Sequence, residues 1–167
     1  GVGIAALDAL TSGDSNTAIG YQSGTKITTG GNNTAIGETS LFLNTSGSSN
    51  TAMGHQSLYA LASGSNNTAV GRVALSSTTG DNNVGIGKSA GSNITSGDGN
   101  VIIGVNTNAD SATGDRQLKI SGNDGSTATT WISGDSSGNV TVAGTLTTSS
   151  GLVAAQADVT ALAIALG

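Results

Sequence analysis

The chain has no cysteine, and only 2% of its 167 residues are aromatic and 9% charged. Without cysteine no disulfide framework can stand in for a core, which fits a secreted or virion protein held together by assembly and equally permits a cytosolic one. The only aromatics are Tyr21, Phe42, Tyr59 and Trp131, and Glu38 is the only glutamate. A glycan-cleaving site needs paired carboxylates in an aromatic-lined cleft, so enzyme activity is not expected. Ser and Asp are abundant, but no Ser-His-Asp arrangement stands out from composition. The five basic residues, Lys26, Arg72, Lys88, Arg116 and Lys119, are scattered in a chain of net charge −5, which argues against nucleic-acid binding. No apolar run reaches the length of a membrane span, so no membrane insertion is expected. The amino end has neither an initiator Met nor a signal pattern, and Gly1 starts inside a repeat, so the chain reads as a piece of a longer or processed polypeptide. Low hydrophobicity with little charge would suit disorder, were it not for the periodicity.

One short phrase returns seven times: Gly1-Val2-Gly3-Ile4-Ala5, Asn16-Thr17-Ala18-Ile19-Gly20, Asn33-Thr34-Ala35-Ile36-Gly37, Asn50-Thr51-Ala52-Met53-Gly54, Asn67-Thr68-Ala69-Val70-Gly71, Asn83-Val84-Gly85-Ile86-Gly87 and Asn100-Val101-Ile102-Ile103-Gly104. The phrases begin at 1, 16, 33, 50, 67, 83 and 100, so the intervals are 15, 17, 17, 17, 16 and 17. A fixed short period signals a solenoid. Alternation makes each phrase a strand, with Ile19, Ile36, Met53, Val70, Ile86 and Ile103 on one face together with the Thr column and with Ala18 and Ala35 pointing the other way. A Gly-x-x-Asn motif precedes each later strand, as at Gly13 with Asn16 and Gly30 with Asn33. It predicts a corner in which Gly supplies positive φ and Asn bonds its own backbone. Further apolar positions at Leu41, Leu58 and Leu75, and at Ile27, Leu61 and Ile94, predict a second short strand in each coil. Coils stacked as parallel strands would rise about 30 Å over six steps.

A single thin coil of Ala, Gly, Ile and Val buries too little apolar area to offset the ordering of so many Gly, Ser, Thr and Asn residues. The expectation is therefore oligomerisation, with the Ile19, Ile36, Met53, Val70, Ile86 and Ile103 column as a core shared between chains about an axis. The repeat fades after Gly104. Residues 106–148 then read as a small β neck, from the alternation at Leu118 with Ile120 and at Val140 with Val142, with the Thr130 to Asp135 segment between them. Trp131 is expected to anchor that module's core. In 149–167, Leu152, Ala155, Val159, Leu162 and Leu166 fall at a and d heptad positions, predicting a helix that begins a coiled coil, or a merely amphipathic helix.

The phrases Asn16-Thr17-Ala18-Ile19-Gly20-Tyr21-Gln22 and Asn67-Thr68-Ala69-Val70-Gly71, each with its Gly-x-x-Asn, resemble the head repeats of YadA-like trimeric autotransporter adhesins. That resemblance covers residues 1 to about 105 and implies a left-handed parallel β-roll in which three chains share one axis. Such repeats followed by Trp131-Ile132-Ser133-Gly134-Asp135 and the 138–146 segment look like phage tail-fibre proteins, in which strands of this kind lead into a trimeric shaft or tip. The fold class expected is thus all-β, a trimeric parallel β-solenoid fibre with a β neck and a short helix. The function expected is that of a structural segment of a phage tail or receptor-binding fibre on the virion. The alternative is the head of a bacterial cell-surface adhesin. The partners implied are the chain itself, other fibre or tail subunits, and a host receptor that is a glycan or surface protein.

Tyr21, His55, Tyr59 and Arg72, all after strand ends, are the candidate receptor contacts. No cofactor is expected. Gly85-Ile86-Gly87-Lys88-Ser89 ends like a phosphate loop, but Asn82 stands where the loop needs its first Gly. Asp14, Asp81 and Asp98 suit calcium turns less well than corner chemistry, because Gly31 and Ser48 fill the matching places. His55, the only histidine, could reach a metal only if three copies met at an axis. An ice-binding Thr array is disfavoured because the column changes to Val84 and Val101.

Overall fold

A computed structural model describes residues 1–144, 147–148 and 151–152. It is all-β, a parallel β-solenoid of about six turns. The strands are β1 (Thr17–Ile19), β2 (Thr34–Ile36), β3 (Thr51–Met53), β4 (Thr68–Val70), β5 (Val84–Ile86), β6 (Val101–Ile103), β7 (Leu118–Asn123), β8 (Ala128–Gly134), β9 (Val140–Val142), β10 (Thr147–Thr148) and β11 (Gly151–Leu152). The first nine form one sheet in sequence order, and β10 pairs with β11 separately. Neighbours from β1 to β7 are parallel and in phase with the repeat: Thr17 opposes Thr34, Thr51 opposes Thr68, and Val101 opposes Leu118. The coil geometry therefore continues past residue 105 to Ile120.

The structure moves the first phrase by two residues. Val2, not Ile4, bridges Ile19, so the interval is 17 rather than the 15 read from the sequence. Each coil also has one strand, not two. The segment carrying Leu41 or Leu58 is a run of turns in which alternate residues take positive φ, as at Thr39 and Leu41 or Gln56 and Leu58. Such φ values are costly for residues with a side chain. The compensation is a continuous backbone ladder, in which Leu41 N–H donates to Ser57 (2.9 Å) and Leu58 N–H to Ala74 (3.1 Å).

The corner chemistry also differs from the reading of Gly-x-x-Asn. Positive φ falls on the residue before each Asn, including Ser15, Asn32, Ser49, Asn66 and Asn82, and not on the first Gly of the motif. That Gly is required by close approach, since a Cβ on Gly30 would strike the carbonyl oxygen of Gly47. The asparagines turn inward and bond between coils. Asn50 Nδ2 donates to Asn33 Oδ1 (3.1 Å) and to the Gly64 carbonyl (2.9 Å), while Asn67 N–H donates to Asn50 Oδ1 (3.0 Å). The ladder runs from Asn16 to Asn100 and closes on Gln117, whose side chain donates to Asn100 Oδ1 (3.1 Å). It satisfies polar groups that burial would otherwise penalise.

The inner core is correspondingly narrow. Ala18, Ala35, Ala52 and Ala69 project inward from the strands, against Leu41, Leu58 and Leu75 and against Ile27, Leu61 and Ile94. Where the Leu position becomes Gly91, the side chains of Leu75, Ile94 and Ile102 close over it. The Ile column, expected as a core shared between chains, lies outside this inner core.

Beyond the last coil, β7, β8 and β9 form an antiparallel meander joined to the solenoid sheet through β7. Leu152, read as the first heptad position, ends the two-residue strand β11, where it opposes Thr147, and is not helical. Ala155, Val159, Leu162 and Leu166 lie outside the described residues.

Candidate functional site

Strand alternation puts Ala inside and leaves Thr and the large aliphatic residue on the outer face of the sheet. One outer column runs Val2, Ile19, Ile36, Met53, Val70, Ile86, Ile103 and Ile120, each opposite the next. Seven steps span about 34 Å. Val2, Ile19, Met53, Val70 and Ile86 are 36–67% exposed, and Ile36 and Ile103 are half-buried. The adjoining column changes from Thr17, Thr34, Thr51 and Thr68 to Val84, Val101 and Leu118, so the face grows more apolar toward the meander.

The meander prolongs the same face. Ile120 opposes Ile132 and Ile132 opposes Val142, while Leu118 opposes Gly134 and Gly134 opposes Val140. A register shift between Ile120 and Ser121 leaves Trp131 as the extra residue of a β-bulge, a device that re-aims a side chain. Its ring lies over Gly122, where a Cβ would meet Cη2 at 2.7 Å. Trp131 is 53% exposed, so it is not the buried anchor expected from the sequence. Ile120 and Val142, expected in neck strands, and Ile132 between them continue the outer column, which the sequence reading ended at Ile103.

Three of the four candidate contacts share another column. The carbonyls of Tyr21, Glu38, His55, Arg72 and Lys88 accept from Thr39, Gln56, Val73, Ser89 and Asn106, at 2.7–3.0 Å, which places these five residues at equivalent positions on successive coils. Tyr21, Glu38, Arg72 and Lys88 are exposed; His55 is half-buried, and its Nδ1 has no hydrogen-bond partner. Tyr59 is not in this column. It lies half-buried on a different side of the coil, stacked on Phe42 with ring centroids 5.3 Å apart and planes 6° apart. Glu38 and Lys88 were not among the candidate contacts; counting from each strand's last Gly aligns them with Tyr21, His55 and Arg72.

At the corner, Asp81 N–H donates to Asp98 Oδ1 (2.7 Å) and Asp98 N–H to Asp115 Oδ1 (2.9 Å). Ser48 and Ser65 hold the same positions on earlier coils, linked at 3.1 Å. These carboxylates bond the backbone of a neighbouring coil. Among the described residues no group of three His, Cys, Asp or Glu side chains is placed to hold a metal ion. In the meander, Asp124 is held below its ordinary value by the backbone N–H groups of Thr127 and Ser126. Asp135 is lowered by the side chain and then the N–H of Asn139. Both act as turn fasteners.

No family model, curated protein or solved structure matches this chain.

Proposed function

We propose that the chain is a structural segment of a trimeric fibre, of the phage tail or receptor-binding kind, that holds host-attachment contacts away from an anchor. One observation carries this reading: an apolar face runs without interruption from Val2 along the solenoid and onto Val142, exposed to water in a single chain. Contiguous exposed apolar surface of this length marks an interaction site. A second and third copy meeting at the same face would bury it about a common axis and supply the core that one coil lacks. The inter-coil ladders suit a stiff rod, because bending it would break hydrogen bonds along its whole length. Three copies of each coil would then present weak contacts together.

The test is the mass of the unheated particle by light scattering or native mass spectrometry, for the wild type and for Ile36→Asp with Val70→Asp. Three chains are expected for the wild type and one for the double variant, since unpaired carboxylates buried at an axis cost several kcal/mol each. Ser46→Asp with Ser63→Asp, exposed in turns well removed from the strands in sequence, should still form trimers. A folded monomeric wild type would refute the reading.

A further inference from the structure

Arg72 and Lys88 stand on adjacent coils in equivalent positions, with the imidazole of His55 on the coil before Arg72. The coil rise sets their backbones about 4.8 Å apart. Two exposed cations on adjacent coils repel each other, and among the described residues nothing pairs with either: the one ion pair there is Lys119 with Asp110, at the far end of the solenoid. Glu38 lies two coils from Arg72, and Asp81, Asp98 and Asp115 belong to a different corner of the coil. An acidic chain of net charge −5 thus concentrates two of its five basic residues, together with its only histidine, in one line on a rigid ladder.

We infer that the His55, Arg72 and Lys88 line is a binding site for a linear anionic polysaccharide that carries carboxylates at regular intervals. A line of fixed cations is matched by a polymer with evenly spaced charges, whereas a single small anion would engage one rung. The guanidinium of Arg72 can take a carboxylate through two parallel hydrogen bonds, and Lys88 supplies a point charge one coil on. His55, half-buried with its Nδ1 shielded from solvent, lies on the coil before and adds no fixed charge, so Arg72 and Lys88 carry the binding. Glu38 repels the polymer beyond His55, so the footprint runs from His55 toward Val105. This names the receptor class of the surface proposed above and rests on that reading; in a trimer, three such lines would add their contacts.

The experiment is titration of the intact protein with alginate, a polyuronate, with monomeric galacturonate and polyphosphate as comparison probes, in low salt and in about 0.5 M salt, where exposed charges are largely screened. Particle mass is measured on each variant, so that a failure of assembly is seen separately from a failure of binding. Alginate should bind, the monomer should bind far more weakly, and salt should abolish the binding. Arg72→Ala with Lys88→Ala should lose about tenfold or more in affinity without a change in mass. Lys26→Ala with Arg116→Ala removes the same charge away from the line and should stay within about twofold. Absence of alginate binding, equal losses in the two double variants, or binding of polyphosphate in preference to alginate would each overturn the assignment.

Discussion

Asn44 is fully buried, and neither its Oδ1 nor its Nδ2 has a hydrogen-bond partner. It occupies the inner position that Ile27 and Leu61 fill on the neighbouring coils, in a column whose other buried polar member is Thr78. Replacing it with leucine, of nearly the same length, removes an unsatisfied amide whose burial costs about 1–3 kcal/mol. The new side chain adds apolar burial worth about 1.5–3 kcal/mol, against an overpacking penalty of about 1–3 kcal/mol. The expected net effect of Asn44→Leu is a stabilisation of about 2 kcal/mol per chain, or about 4–8 °C in melting temperature for a chain of this size. Asn50→Leu is the opposing control. Asn50 is equally buried but donates to Asn33 and Gly64 and accepts from Asn67, so its loss orphans groups on both neighbouring coils. That variant should lose about 3–5 kcal/mol. Both are read from thermal and urea unfolding followed by far-ultraviolet circular dichroism, at matched protein concentration because assembly shifts the midpoint. The same substitution, six residues apart, should change sign. A destabilised Asn44→Leu variant would refute the apolar column drawn through Ile27 and Leu61.

Two further outcomes follow from the meander. Trp131 is the only tryptophan, and it lies half-exposed beside the outer apolar face, so its emission should shift to the blue and resist acrylamide quenching in the assembled particle, then revert in the Ile36→Asp, Val70→Asp variant; identical spectra in the two states would remove the meander from the shared face. The folded-state values of Asp124 and Asp135 lie below their ordinary 3.8, so their contribution is fully present above that pH and is lost as pH falls through the lowered values. Protection factors of the Ser126, Thr127, Ser137 and Asn139 amides, taken against the intrinsic exchange rate at each pH, should fall below about pH 3.8 while the solenoid ladder stays protected; unchanged protection of those amides would contradict the fastening role.

Much of this architecture was legible in one dimension because a solenoid repeats its local chemistry. The alternation of Thr, Ala and Ile determined the strand and its two faces, and the spacing of 17 determined which residues stack. What the alternation could not say is which face turns inward within one chain. Ala18 and Ile19 are both apolar, and the choice follows from width: where Leu41, Leu58 or Leu75 fills the space opposite the strand, the strand itself has room only for Ala or Gly, and the larger Ile102 turns inward where that space is left by Gly91. Ile19 and its equivalents are thereby left outside. The role of the asparagines was likewise hidden. Read alone, Asn after Gly suggests a turn residue, and only stacking brings Asn33, Asn50 and Asn67 within reach of one another and makes a buried ladder of them. The line from Tyr21 to Lys88 was similarly scattered along the chain, as single residues seventeen apart or nearly so, until the coils placed it in register. Trp131 shows the limit most plainly, because its exposure depends on a one-residue bulge against Gly122, and a bulge is a property of two paired strands that neither strand carries alone. Local sequence determined the coil and its period; inter-coil and inter-strand pairing decided which side chains meet, because those contacts join residues that the chain keeps far apart.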